Sequence, residues 1–278
     1  MAKGTGLIGN FKGKVGNTVG YKLSASNNGQ TQGIRVYQPI VKNPKTAAQA
    51  EQRAKLNPIN ATYRALKMVI DRGNEGLPYG NKSRLAWLKN AFKAEVMPWY
   101  EKGAIVGAPV CCPLTKGSLP FSYVLGDNAG ECVLNVDGLL AASDTTIGKV
   151  SEKIIAVYHE VKDGDQLTFV SVIQENSVMY AKVNSLVIDT TSTASLPASL
   201  VVNDDQLVQS TSNGIITGAA IILSREGANG EHLRSTTSLT KCSDYPAAVL
   251  ADAAKEAAIA SYQTSAANNS DWAEESIQ

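Results

Sequence analysis

Two histidines and four cysteines in 278 residues are a thin supply of catalytic and metal-ligating side chains. Cys111, Cys112, Cys132 and Cys242 show no CxxC spacing, and adjacent Cys111 and Cys112 do not form a usual structural bridge with each other. A disulfide scaffold is excluded, and a zinc site drawing on His159 or His232 lacks a paired-ligand knuckle. The thiols read as small buried hydrophobes in a reducing compartment. No apolar run approaches the ~20 residues that span a bilayer; Ile215 to Leu223 reaches about half of that. Lys3 is followed by no apolar stretch, so a secretory signal is not expected. Acidic residues are scarce in the first 103 positions, which hold 17 basic against 5 acidic side chains, a net of +12. Residues 104–278 hold 9 basic and 20 acidic ones, a net of −11, so the overall charge of +1 is a cancellation. The apolar share of 44% supplies real cores and argues against wholesale disorder.

Residues 1–43 read as a Gly-rich basic arm. Lys14 to Leu23 and Gly33 to Tyr37 alternate loosely around the Ser24–Gly29 turn cluster, the pattern of a hairpin with a loop. Residues 44–103 read as helical. Thr46 with Gln49 three positions on fits a capping box, and Asn57-Pro58 is expected to break or kink the helix. Tyr63, Leu66 and Ile70 continue it to Gly73. Asn81 or Ser83 caps a further helix, with Leu85, Leu88, Phe92 and Val96 as its apolar stripe and Pro98 as its stop. A Pro-punctuated connector occupies 104–122. Residues 123–243 read as seven short strands, Glu131–Val136, Lys153–Val161, Gln166–Ile173, Val178–Ile188, Ser199–Val202, Ile215–Leu223 and Leu233–Thr240. Turn residues separate them at regular intervals, the pattern of a sandwich. Residues 244–278 add an Ala-rich helix over Tyr245–Tyr262, with Leu250, Ala254, Ala257 and Ala258 on one side, and an acidic tail. The expected fold is therefore α+β: a basic hairpin arm and amphipathic helices, an Ig- or fibronectin-like antiparallel β-sandwich, and a C-terminal Ala-rich helix.

Motifs of chemistry are weak. Gly4 to Gly9 matches GxGxxG, but a dinucleotide site needs a strand before it and a helix after it, and only three residues precede Gly4. It reads as a flexible arm. His159 in an expected strand and His232 beside the Asn229-Gly230 turn have no partner motif for acid–base or nucleophilic work. Asp163-Gly164-Asp165 and Asp204-Asp205 offer oxygen ligands but lack EF-hand spacing, and turns use these residues for backbone reasons. No cofactor, metal or catalytic set is implied, and an enzyme is not expected. The basic residues carry more: Lys12, Lys14, Lys22, Arg35, Arg53, Lys55, Arg64, Lys67, Arg84, Lys89 and Lys93 are the candidate contacts for assembly or for phosphates. Their partner is an acidic protein surface, such as the acidic C-terminal part of the next subunit, or a nucleic acid.

Gly13 to Lys22, GKVGNTVGYK, resembles the opening motif of a domain-of-unknown-function family of Bacteroidota and their phages, roughly GKVGNxVGYK. Pro44 to Lys55 resembles that family's second block, around PTxAQxxQR, so the likeness covers about residues 9–60. The chain departs from the family's ending by continuing through the Ala-rich helix and the acidic tail. The family has no assigned activity and no site residues to transfer; the resemblance implies a bacterial or phage origin and a helical base with a β-sandwich. Together these readings point to a non-enzymatic structural protein of a bacteriophage virion, of the crAss-like group, in a portal or tail ring or on the capsid. It would be assembled in the host cytoplasm as a ring-like homo-oligomer with other virion proteins and without a membrane. The alternatives are a nucleic-acid-binding protein with non-specific DNA contacts and a bacterial surface adhesin.

Overall fold

A computed structural model describes residues 13–22, 32–37, 46–123, 125, 132–176, 178–203, 205–209 and 214–264. The chain divides into two compact units, of which the larger is Thr46–Ala267. The described part of the smaller unit is an antiparallel sheet of three strands, β1 (Gly13–Val15), β2 (Thr18–Lys22) and β3 (Gln32–Val36). The first alternating run thus folds on itself at Gly16, whose φ of +57° suits glycine. Thr18 pairs with Val36 and Gly20 with Ile34, so Ile34 and Val36 share a face, 60% and 74% exposed. Lys12 lies outside the described residues, as do the Gly4–Gly9 motif and the acidic tail.

In the larger unit, α1 (Ala47–Ile70) starts where expected. Thr46 is extended and its Oγ1 accepts the Gln49 N–H at 3.4 Å. The expected break at Pro58 does not occur; the helix runs through it to Ile70. Pro58 is buried, and its carbonyl accepts the Thr62 hydroxyl at 2.8 Å. That hydroxyl also accepts the Val110 N–H at 2.9 Å, so packing holds the helix against the propensity of proline. The distortion falls instead at Leu66, with φ −103° and ψ 16°. The second helix, α2 (Asn81–Ala91), is preceded by Gly80 at φ +88° rather than capped by Asn81 or Ser83. Its inward residues are Ser83, Trp87 and Ala91, four apart; Leu85 of the expected stripe is 49% exposed. Ser83 faces inward because its Oγ donates to the Ile70 carbonyl at 2.7 Å and accepts Asn74 Nδ2 at 3.0 Å, closing the α1–α2 corner. The helix ends at Ala91, well before Pro98.

Next come β4 (Pro113–Thr115), β5 (Cys132–Asn135), α3 (Ile147–Val157), β6 (Gln166–Glu175), β7 (Val178–Val187), β8 (Leu200–Asn203) and β9 (Gln206–Gln209). Last are β10 (Ile215–Glu226), β11 (His232–Arg234), β12 (Thr237–Ser238), β13 (Thr240–Lys241), a 3-10 turn (Ala247–Leu250) and α4 (Asp252–Thr264). The fold is α+β, with antiparallel strand pairing throughout these named strands. One sheet runs β11-β10-β6-β7, with β13 also on β10; a second runs β5-β9-β8; β12 pairs β4. Strands β6 and β10 are buried on both faces. Leu167, Phe169, Ala219, Ile221 and Leu223 point into a core shared with β5, β9 and Val150 and Ile154 of α3. Val170, Val172, Ala220 and Ile222 point the other way, against Ile59, Leu66, Ile70 and Trp87 of α1 and α2. Two-sided burial explains why these strands read as continuous apolar runs.

The expected strand Lys153–Val161 is mostly helix: Val150, Ser151 and Ile154, three and four apart, turn inward, and Gly148 lets the helix start close against the Ser192 carbonyl. The connector is core rather than spacer, since Val110, Cys112 and Leu114 alternate into the α1–α2 side. Gln206–Gln209, expected as loop, is the central strand of its sheet, and buried Gln209 accepts the Ser171 hydroxyl at 2.6 Å between the two sheets. The C-terminal stretch forms the 3-10 turn and α4, which packs on α1 with Ala258 fully buried.

Candidate functional site

The candidate basic residues are dispersed. Lys14 and Lys22 lie on β1 and β2, and Arg35 is exposed on β3. Arg53, Arg64 and Lys67 are exposed on α1; Lys89 is exposed on α2 and Lys93 just beyond it. Two are tied locally. Arg84 sits 4.5 Å over the Tyr63 ring, and Tyr63 in turn donates to Asp71 at 2.9 Å. Lys55 pairs with Glu51 at 2.9 Å, one helical turn back, and the Lys55 hydrogen bond holds the Glu51 carboxyl below the usual carboxylate range.

Packing of α4 on α1 brings one acidic element of the C-terminal half beside the basic helix within the chain. Yet the ion pairs among the described residues are Lys55–Glu51, Lys153–Asp144 and Arg225–Asp165, and none joins the basic third to the acidic half. The meeting point is Trp99, half-buried, with Lys55 Nζ 5.8 Å and Lys255 Nζ 5.5 Å from its ring centre. A cavity of about 350 Å³ opens there, lined also by Glu51, Glu95 and Asp252. Trp87 is buried in the α1–α2 core and Trp99 packs half-buried against the same core; the second lysine beside Trp99 comes from the far end of the chain and leaves no local signal.

The residues singled out for chemistry are occupied otherwise. Asp165 is buried and accepts Arg225 Nε at 2.6 Å and Nη2 at 2.7 Å, so its carboxylate is taken up by a guanidinium rather than left for a metal ion. Asp163 accepts the Thr190 N–H at 2.8 Å, and Asp205 takes the left-handed conformation between β8 and β9 with φ +67°. His159 is exposed in the turn after α3 rather than in a strand, and His232 is exposed on β11. The four thiols are free; burial pushes Cys111, Cys112 and Cys132 up to about 12 and Cys242 to about 11. Among the described residues no group of three His, Cys, Asp or Glu is placed to hold a metal, and no helix is long and apolar enough to cross a membrane.

Comparison with known proteins finds no matching family model, no matching curated protein and no matching solved structure. The family resemblance of the N-terminal motifs therefore rests on those residues themselves.

Proposed function

We propose that this chain is a non-enzymatic structural protein of a bacteriophage virion, in a portal or tail ring or on the capsid, which assembles with copies of itself and other virion proteins. It would be built into particles in the host cytoplasm. The observation that carries the reading is the charge division, +12 against −11, together with the lack of any ion pair between the two sets among the described residues. Exposed Arg53, Arg64, Lys67, Lys89 and Lys93 are left to meet an external partner, and head-to-tail contacts of this kind close into rings when the rotation permits. An Ig- or fibronectin-like sandwich belongs to the same proposal. Its support is that two antiparallel sheets share one core, with hairpin β6–β7 in one and hairpin β8–β9 in the other. Light scattering after size exclusion tests the assembly: oligomers at low salt that dissociate as salt rises are expected, and a salt-insensitive monomer at high concentration would overturn it.

One observation favours a second reading. Residues 1–45 hold seven basic side chains and no acidic one, which suits a nucleic-acid backbone. Filter binding to random duplex DNA with a steep salt slope supports it, and no retention at low salt removes it.

A further inference from the structure

A second cavity, of about 310 Å³, lies between the loop joining α1 to α2 and strand β11. Arg72, Glu75, Tyr79, Glu231, His232 and Arg234 are among the residues that line it, beside Asn74. The frame is firmly built. Glu75 accepts the Ser118 N–H at 2.9 Å, the Ser118 hydroxyl at 2.8 Å and the Arg234 N–H at 3.2 Å. Burial works against its charge, but these bonds outweigh it and hold the carboxyl below the usual range. The Glu75 N–H donates to the Lys116 carbonyl and the Leu119 N–H to the Arg234 carbonyl, both at 2.9 Å. Gly117 is required here, because a Cβ would stand 2.1 Å from the Arg234 carbonyl oxygen.

The charges of this frame are unevenly spent. Glu75 is saturated by three donors. Glu231 turns back on its own hairpin, accepting the Asn229 N–H at 3.2 Å, with its carboxyl carbon 2.6 Å from where a Gly227 Cβ would be. The guanidiniums of Arg72 and Arg234 have no carboxylate partner among the described residues. Arg72 lies 5.6 Å over the ring of Tyr79, which is 56% exposed. Two guanidiniums without a carboxylate partner, beside an exposed aromatic on a pre-organised frame, match the chemistry of carboxylates carried on a peptide with an aromatic side chain.

The chain contains such a peptide. Residues 268–278 hold Asp271, Glu274 and Glu275, with Trp272 among them and no basic residue. We infer that the Arg72–Tyr79–Arg234 cavity binds the acidic segment 268–278 of a second copy. Its carboxylates meet the two guanidiniums and Trp272 lies against Tyr79 and Arg72. This rests on the assembly reading and names the contact that performs it.

The test uses the full chain and a labelled synthetic peptide of residues 268–278, read by fluorescence anisotropy. Binding that weakens with salt is expected, with a loss of about tenfold or more when Asp271, Glu274 and Glu275 become Asn, Gln and Gln. The same loss is expected in the R72Q/R234Q protein, an intermediate loss in R72K, and none in K149Q, an exposed lysine of α3 outside the candidate contacts. Unchanged near-ultraviolet circular dichroism shows that the variants remain folded. Mixing the R72Q/R234Q protein with a copy truncated before 268 should form a pair in light scattering, since one supplies the segment and the other the cavity. Peptide binding unaffected in R72Q/R234Q overturns the inference. So does no pairing on mixing. Oligomers that persist in R72Q/R234Q also overturn it while leaving the assembly reading standing; a wild-type monomer at every concentration and salt sinks the assembly reading itself.

Discussion

Replacing Asp165 by alanine should break the ion pair whose carboxylate is the most buried among the described residues. The carboxylate is 1% exposed and accepts three N–H groups: Lys162 N at 2.7 Å, Arg225 Nε at 2.6 Å and Arg225 Nη2 at 2.7 Å. Alanine leaves the Lys162 N–H unpaired, and the guanidinium keeps only its bond to the Glu160 carbonyl at 2.9 Å. Breaking a buried pair by deleting one partner costs about 3–5 kcal/mol. Arg225 retains some access to water, with 22% of its side chain exposed, which moves the expectation to the lower end, about 3 kcal/mol. At about 2–4 °C per kcal/mol for a chain of this size, the melting temperature should fall by about 6–12 °C. Asp165→Asn keeps the shape and one acceptor and should lose about half as much. Urea unfolding followed by circular dichroism measures both, the midpoint moving at constant slope. Removing both partners, as in D165A/R225M, should recover part of the loss, because no charge is then stranded. A loss below about 1 kcal/mol for Asp165→Ala, or strict additivity in the double variant, would refute the reasoning.

Three further outcomes are expected. Gly148→Ala should destabilise even though alanine favours helices by about 1 kcal/mol, because its Cβ would stand 2.5 Å from the Ser192 carbonyl oxygen; a raised urea midpoint contradicts the packing of α3. At pH 8 a thiol-reactive disulfide reagent should label Cys112 and Cys132 only as the protein unfolds, since burial pushes both thiols to about 12; rapid labelling of four thiols in the folded chain contradicts this. Asp144, held low by the Lys153 ammonium, and Glu75, held low by its Ser118 and Arg234 donors against burial, both have folded values below their unfolded ones. Their contribution is present above about pH 4 and is lost as pH falls through the folded values, so stability should drop in acid and Asp144→Asn should flatten that fall.

Patterns of local origin were legible in the sequence. The Thr46 cap, the β6–β7 and β10–β11 turns and strands β6, β7 and β10 follow from side-chain chemistry within a few residues, whereas β9 was not among the expected strands. Turn residues and caps act on their own backbone, so no distant partner is needed to read them. The charge division was equally legible, because it is a count. Other features needed the whole chain. Pro58 stays in a helix because it is buried in a packed turn that Thr62 ties to the Val110 N–H, and Ser83 faces inward because the end of α1 offers it an acceptor. Ile147–Val157 is a helix because its buried face lies against the sheets, although its β-branched residues also suit a strand. The Trp99 cavity and the Arg72–Arg234 cavity join residues from opposite ends of the chain. The sequence by itself determined where the backbone turns and where charge of each sign is stored. Only the tertiary structure decided which faces are buried and which charges are left without a partner, because burial and pairing depend on contacts that sequence separation does not record.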